Sequence, residues 1–153
     1  MVEEGGFLYD SDSYADDLPY WTKVGEKPHL IIPYTLDNND MRFATPNGFN
    51  CGDQFYTYLK DSLDFMRDEG ATAPKMLNVG LHCRLVGRPG RAQALKRFLD
   101  YVCSLDDVWV CRRVDIANHW IEHHPAPPSE SLNDKNLLAY TIMFFAISLV
   151  SVL

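Results

Sequence analysis

The sequence lacks most signatures of secreted, zinc-binding and nucleic-acid-binding proteins. Its four cysteines, at positions 51, 83, 103 and 111, form no C-x-x-C pair, so we expect reduced thiols rather than disulfides or zinc ligands. No amino-terminal signal peptide is recognised, which predicts a cytoplasmic location. The net charge is −7, and so acidic a chain is not expected to bind nucleic acid. The sequence is typical of part of a soluble enzyme.

The composition and the order of the predicted elements indicate an α/β fold. The chain has 153 residues, of which 46% are hydrophobic, and this is enough for one domain with a core. Strands are predicted at Gly6–Tyr9, His29–Pro33, Lys75–His82 and Val108–Cys111. Helices are predicted at Asp53–Asp68, Gly90–Ser104 and Asp115–His123, and loops at Lys23–Pro28 and Asp37–Asn50. This alternation predicts β-α-β units and a parallel sheet.

The most informative segment is a predicted strand that opens onto a glycine- and arginine-rich loop. Four residues of this strand are apolar, namely Met76, Leu77, Val79 and Leu81. His82 follows at the carboxyl end, and Gly87, Pro89 and Gly90 then interrupt regular structure. Ligands of α/β proteins bind where strands end in loops, and histidine can transfer a proton near neutral pH. His82 is therefore a candidate catalytic residue, and the alternative is a hydrogen-bonded histidine at a strand end.

A second strand, near the amino terminus, leads into an acidic and aromatic loop. Four aspartates lie within eight residues, at Asp10, Asp12, Asp16 and Asp17. Four buried carboxylates would repel each other, so some are expected to be solvated, hydrogen-bonded or paired with arginine. The arginines of the His82 loop are plausible partners, namely Arg84, Arg88 and Arg91. The alternative is a solvated acidic turn.

Three segments resemble the carboxyl-terminal half of an allantoinase-type member of the polysaccharide deacetylase (NodB-like) superfamily. They are Gly6–Trp21, His29–Arg42 and Pro74–Arg91, and the resemblance extends over roughly residues 2–125. Proteins of this superfamily are deformed (β/α) barrels, about twice as long as this chain. They hydrolyse C–N bonds in the N-acetyl groups of sugars or in the cyclic amide of allantoin. The resemblance implies a partial (β/α) barrel and a small amide substrate.

The resemblance also implies roles for individual residues. His82 would protonate the leaving nitrogen as a general acid, oriented by a carboxylate such as Asp12, with Asp10 as a further catalytic residue. Tyr20 and Trp21 would line a substrate pocket, for which ordinary aromatic packing is the alternative. Arg84 and Arg88 would contact the substrate, and ion pairs with the acidic loop are an equal alternative.

Two superfamily motifs would lie upstream of Met1. They are the aspartate pair that supplies the catalytic base and the H-x-x-x-H motif that supplies metal ligands. The resemblance therefore implies no cofactor within this chain and a divalent metal only in the full-length fold. It leaves three functions open: a hydrolase fragment inactive alone, a non-catalytic remnant, or a subunit that completes a separately encoded amino-terminal half. Half a barrel has open sheet edges, so we also expect the isolated chain to oligomerise or aggregate.

The carboxyl-terminal region departs from the superfamily pattern. Residues 1–125 form the predicted partial domain, 126–136 a linker and 137–153 an uncharged apolar tail. A membrane-spanning helix needs about 20 apolar residues, so the tail is a marginal transmembrane helix that would attach the chain to a membrane. A buried helix and unselected sequence are the alternatives. The run from His119 to His123 fits the zinc-protease pattern H-x-x-E-H but has no third ligand downstream, so a solvated helix end is favoured.

Overall fold

The structure is a computed structural model that describes residues 2, 4–73, 75–128 and the backbone of 145–152. Six strands are described: β1 (Tyr9–Asp10), β2 (Tyr20–Val24), β3 (Lys27–Ile31), β4 (Lys75–His82), β5 (Trp109–Cys111) and β6 (Phe145–Val152). The helices are α1 (Gly52–Gly70), α2 (Cys83–Val86), α3 (Pro89–Val102) and α4 (Arg113–His123), together with a 3-10 helix at Asp40–Ala44. The chain divides into two units: unit 1 comprises Met1–Tyr34 and Arg112–Ile142, and unit 2 comprises Thr35–Cys111 and Met143–Leu153.

Unit 1 contains a small mixed sheet in which β3 is the central strand. β1 pairs with β3 in parallel, and β2 pairs with β3 in antiparallel orientation. Gly25 lies in the turn between β2 and β3 with φ of 60°, a conformation that favours glycine. The predicted loop Lys23–Pro28 is therefore wrong at both ends, since its outer residues belong to a β-hairpin. The core of unit 1 includes Leu30, Ile31 and Ile32, together with Ile116 and Ala117 of α4.

Unit 2 contains a parallel sheet, in the order β4-β6-β5, with α1 and α3 packed together beside it. The predicted apolar stripe of α1 is confirmed, because Phe55, Leu59 and Leu63 are buried. Burying these side chains together with those of β4 and α3 removes apolar surface from water, which is the main stabilising contribution to folding. The shared core consists of Phe49, Phe55, Leu59, Leu63, Leu77, Val79, Val86, Ala94, Phe98 and Val102.

The fold class is confirmed as α/β, but the predicted apolar carboxyl-terminal helix is wrong where the structure describes it. Residues 145–152 form β6, which pairs with β4 from Lys75↔Phe145 to His82↔Val152. On its other side β6 pairs with β5. A run of eight mostly apolar residues is as compatible with a central strand, which is apolar on both faces, as it is with a helix. Residues 137–144 and 153 lie outside the described part of the chain. No helix among the described residues is long and apolar enough to span a membrane.

Candidate functional site

His82 ends β4 and forms a hydrogen-bonded pair with a buried aspartate, Asp40. The Oδ1 atom of Asp40 lies 2.7 Å from Nδ1 of His82. Its Oδ2 atom accepts the backbone N–H of His82 at 2.8 Å and that of Val86 at 3.0 Å. Asp40 is fully buried, whereas the side chain of His82 is 25% exposed. A carboxylate that accepts at Nδ1 requires a proton there, so Nε2 is the nitrogen left for a substrate.

The loop that carries Asp40 is docked alongside β4 by backbone contacts. Asn39 forms a parallel bridge with Gly80, and the N–H of Gly80 donates to the carbonyl of Asn38 at 2.9 Å. The side chain of Asn39 also accepts the N–H of Met41 at 2.8 Å and so caps the 3-10 helix. These contacts bring Asp40, 42 residues earlier in the chain, onto His82.

Arg42 anchors the same loop to the core of unit 2. Its guanidinium carbon lies 4.6 Å from the ring centroid of Phe49 and 4.4 Å from that of Tyr58. The Tyr58 hydroxyl donates to Asp37 at 2.7 Å, and this hydrogen bond raises the pKa of Tyr58. Stacking of a cation on two rings is favourable, so the position of Asp40 is supported from both ends of its loop.

A second aspartate–histidine pair lies in unit 1. The Oδ2 atom of Asp10 lies 3.1 Å from Nε2 of His29, and Oδ1 accepts the N–H of Asp12 at 3.3 Å. His29 is buried with 6% exposure, whereas the side chain of Asp10 is 25% exposed. Both pairs therefore combine one buried and one partly exposed partner.

The other predicted site residues of unit 1 make local contacts. The hydroxyls of Tyr20 and Ser13 are 2.6 Å apart, and the Trp21 indole N–H donates to the carbonyl of His124 at 2.7 Å. Asp16 accepts the N–H groups of Asp17 and Leu18, as expected for a residue that caps the next segment. The pocket-lining role of Tyr20 and Trp21 stays a prediction.

The arginines of the His82 loop lie on the surface of unit 2. Arg84 and Arg88 are exposed at α2 and at the start of α3. Arg91 donates to the carbonyl of Leu85 at 3.2 Å, and its guanidinium lies 4.5 Å from the ring centroid of Phe43. The predicted substrate contacts of Arg84 and Arg88, and the alternative ion pairs with the acidic loop, stay predictions.

Two residues of these pairs were missed by the sequence analysis. Asp40, rather than the predicted Asp12, holds Nδ1 of His82. His29 was assigned to a strand without a role. A signal was present for Asp40 in the polar run Asp37–Asp40, which follows an apolar strand as the acidic loop does.

The described residues do not provide a complete metal site. Within the ranges the structure covers, no group of three or more histidine, cysteine, aspartate or glutamate side chains could hold a metal ion. His119 and His123 have ring centroids 4.3 Å apart, but two imidazoles leave a zinc ion short of its usual three or four protein ligands. The divalent metal that the family resemblance implies for the full-length fold stays a prediction.

Comparison with known proteins places the chain in a family. It is 46% identical over 127 residues to a Schizosaccharomyces pombe protein whose name describes it as a polysaccharide deacetylase. The match covers 76% of this chain and 40% of that protein. No family model matches the chain.

Solved structures give the same result. A crystal structure of a probable polysaccharide deacetylase from Pseudomonas aeruginosa PAO1 is 64% identical, with a TM-score of 0.77, and covers 82% of this chain and 42% of that one. The crystal structure of Puue allantoinase is 61% identical, with a TM-score of 0.78 and the same coverage.

The predicted family is confirmed. The chain belongs to the polysaccharide deacetylase superfamily and matches the carboxyl-terminal half of its members. It spans about two fifths of the length of the relatives it matches.

Proposed function

We propose that this chain supplies the general-acid half of an amidohydrolase that cleaves non-peptide C–N bonds. The observation that carries this proposal is the pair formed by His82 and Asp40. A partly exposed imidazole, held through Nδ1 by a buried carboxylate at the end of a parallel strand, has the arrangement required of a proton donor. The similarity to polysaccharide deacetylases and to an allantoinase supports the choice of a C–N bond.

The proposed reaction is hydrolysis of an amide by water. The water oxygen attacks the carbonyl carbon and forms a tetrahedral intermediate. As the C–N bond breaks, the imidazolium of His82 gives the proton on Nε2 to the leaving nitrogen, and the products are a carboxylic acid and an amine. Asp40 keeps the other proton on Nδ1 and stabilises the imidazolium. The base that activates the water is proposed to lie outside this chain.

The proposed substrate is a small amide, either the cyclic amide of allantoin or an N-acetylated sugar. Arg84 and Arg88 support a polar substrate, since both are exposed and follow His82 closely in the sequence. Asp10 and Asp12 would contribute carboxylates, and Tyr20 and Trp21 would contribute aromatic walls.

The test is an activity measurement on a completed enzyme. The part of the Pseudomonas aeruginosa relative that this chain does not match would be fused ahead of Met1. Hydrolysis of allantoin and of an N-acetylglucosamine oligomer would then be measured. We expect His82→Ala to lower the rate about 10²- to 10⁴-fold, because a general acid contributes that much. The matched control is His123→Ala, which removes an exposed histidine of unit 1.

Two results would overturn the proposal. One is a folded wild-type fusion with no hydrolysis of either substrate. The other is a His82→Ala fusion as active as the wild type. The chain alone is expected to show no hydrolysis above its His82→Ala control, because the base is proposed to lie outside this chain.

A second candidate function is a subunit that completes a separately encoded amino-terminal half. It is favoured by the coverage of about two fifths of each relative. Mixing the chain with the unmatched part of the Pseudomonas aeruginosa relative, without fusion, distinguishes it from a non-catalytic remnant. Recovery of His82-dependent hydrolysis on mixing supports the subunit.

A further inference from the structure

We propose that His29 is the positioning residue of the Asp10 carboxylate, a role that rests on the proposed hydrolase function for its catalytic meaning. The first observation is burial. His29 has 6% exposure, and its Nε2 lies 3.1 Å from Oδ2 of Asp10. A buried imidazole nitrogen needs a partner, and here the partner is the more exposed member of the pair.

The register of the sheet brings the two side chains together. Asp10 is paired with Ile31 in the parallel ladder between β1 and β3. Residues 29 and 31 of a strand point to the same face, so His29 is the diagonal neighbour of Asp10 on that face. The contact thus follows from the backbone of two neighbouring strands.

Both oxygens of Asp10 are engaged, and this defines the orientation of the carboxylate. Oδ2 faces Nε2 of His29, and Oδ1 accepts the N–H of Asp12 at 3.3 Å. Because a carboxylate only accepts hydrogen bonds, His29 must carry its proton on Nε2. His29 therefore restricts Asp10 to one rotamer, and one edge of the carboxylate remains open, as its 25% exposure shows.

The position of Asp10 in the fold explains why a fixed rotamer would matter. Asp10 is the last residue of β1, at the carboxyl end of a parallel strand, where α/β proteins bind ligands. A carboxylate that acts on a substrate gains from being held in one geometry, because misplacement by about 1 Å can lower a rate about 100-fold. His29 would act through Asp10 and would not touch the substrate.

The test uses nuclear magnetic resonance of the full chain, recorded within the fusion enzyme where the isolated chain aggregates, and needs no activity. Long-range ¹H–¹⁵N spectra are expected to show His29 with its proton on Nε2. Three-bond couplings to Cγ of Asp10 are expected to report a single χ1 rotamer. In His29→Leu, which keeps the bulk but removes the donor, the couplings should average over several rotamers. In His29→Gln, whose amide N–H replaces Nε2–H, the single rotamer should return.

The controls separate positioning from folding. Asp12→Asn should leave the His29 signals unchanged, because Asp12 contacts Asp10 through its backbone N–H alone in this arrangement. Amide signals of β3 report whether His29→Leu still folds. If it does not, the wild-type tautomer and rotamer decide the question. A proton on Nδ1 of His29, or an averaged Asp10 rotamer in the wild type, would overturn the proposal.

An activity arm links the pair to the proposed reaction. In the fusion enzyme, His29→Leu is expected to lower kcat about 10- to 100-fold with little change in KM, and His29→Gln is expected to restore most of it. An active wild-type fusion with unchanged kcat in His29→Leu would refute the role of His29 and leave the proposed function intact. An inactive wild-type fusion would refute the proposed function, while the spectroscopic result still decides whether His29 positions Asp10.

Discussion

The two units pair an aspartate with a histidine in opposite senses. In unit 1 the histidine is buried and the carboxylate of Asp10 is partly exposed, whereas in unit 2 Asp40 is buried and the imidazole of His82 is partly exposed. The side chains of Asp10 and His82 have the same exposed fraction, 25%. In each pair the partly exposed member is the one that solvent reaches: the Asp10 carboxylate, a hydrogen-bond acceptor, in unit 1, and the His82 imidazole, which can also donate, in unit 2.

The buried members of the two pairs, Asp40 and His29, are held differently. Asp40 accepts three hydrogen bonds, two of them from backbone N–H groups, because a carboxylate has four lone-pair sites to satisfy. His29 needs one acceptor for its Nε2 proton, and the carboxylate of Asp10 is that acceptor. Asp40 is therefore held mainly by the backbone around it, whereas the hydrogen bond of His29 depends on the partly exposed carboxylate of Asp10.

The largest effect is expected from removing β6. Replacement of residues 145–153 by an equally long glycine-serine segment would separate β4 from β5, since β6 lies between them. We expect unit 2 to lose cooperative unfolding and the His82 amide to lose protection from hydrogen exchange. The strand pairings of unit 1 do not involve β6 and should persist. Equal protection of His82 in both chains would contradict the central position of β6.

A smaller effect is expected from truncating each aspartate. Asp40→Ala leaves the imidazole of His82 and two backbone donors without their acceptor, and should lower the free energy of unfolding by about 3 kcal/mol. Asp10→Ala should cost about 1 kcal/mol, because water reaches the exposed side of that pair. Urea unfolding measures both values. Equal losses would remove the energetic difference between the two pairs.

The pH dependence should also differ between the units. In unit 1, burial lowers the pKa of His119 and of His124, and neighbouring histidines lower both further. The unfolded chain then binds more protons, so this stability is present above about pH 6.5 and is lost as pH falls below it.

In unit 2 the corresponding loss should come at lower pH. Burial tends to raise the pKa of Asp64, but hydrogen bonds from Lys60 and Tyr101 outweigh it and lower the pKa. This stability is present above the unfolded pKa, near 3.8, and is lost as pH falls through the lower folded value. Amide spectra recorded from pH 7 to pH 3 should show unit 1 opening first. His119→Gln should reduce that difference, and opening of unit 2 first would contradict it.

The smallest effect is expected from Arg42→Lys. Lysine keeps the charge but loses the planar group that stacks on Phe49 and Tyr58, at a cost of about 0.5–1 kcal/mol. Because this stacking supports the Asp40 loop, the His82 ring signals should shift while those of His29 do not. Lys60→Arg, at a surface position of α1, serves as a matched control. Identical His82 spectra would show that the loop does not depend on Arg42.

Local patterns predicted elements better than they predicted partners. The apolar run at Lys75–His82 and the four-residue spacing of α1 identified a strand and a helix, because both signals are contained in consecutive residues. The run that forms β6 was misassigned to a helix, since an uninterrupted apolar run carries no period that separates a central strand from a helix. His82 was identified from its place at a strand end.

The partners Asp40 and His29 could not be predicted in the same way. The contact of Asp40 depends on the bridge between Asn39 and Gly80, and that of His29 depends on the register of β1 against β3. Such registers are set by tertiary packing and turn geometry rather than by the residues themselves.

The guanidinium of Arg113 has a consequence for the order in which unit 1 is built. From α4 it donates to the carbonyls of Ile32 and Pro33, 81 and 80 residues earlier in the chain, and to the hydroxyl of Ser11. The Trp21 indole likewise reaches His124 across 103 residues. During synthesis the carbonyls of Ile32 and Pro33, which directly follow β3, therefore stay hydrated until α4 has been made. Chaperones that bind unfinished chains would therefore encounter unit 1 in an incompletely folded form, before α4 has been synthesised.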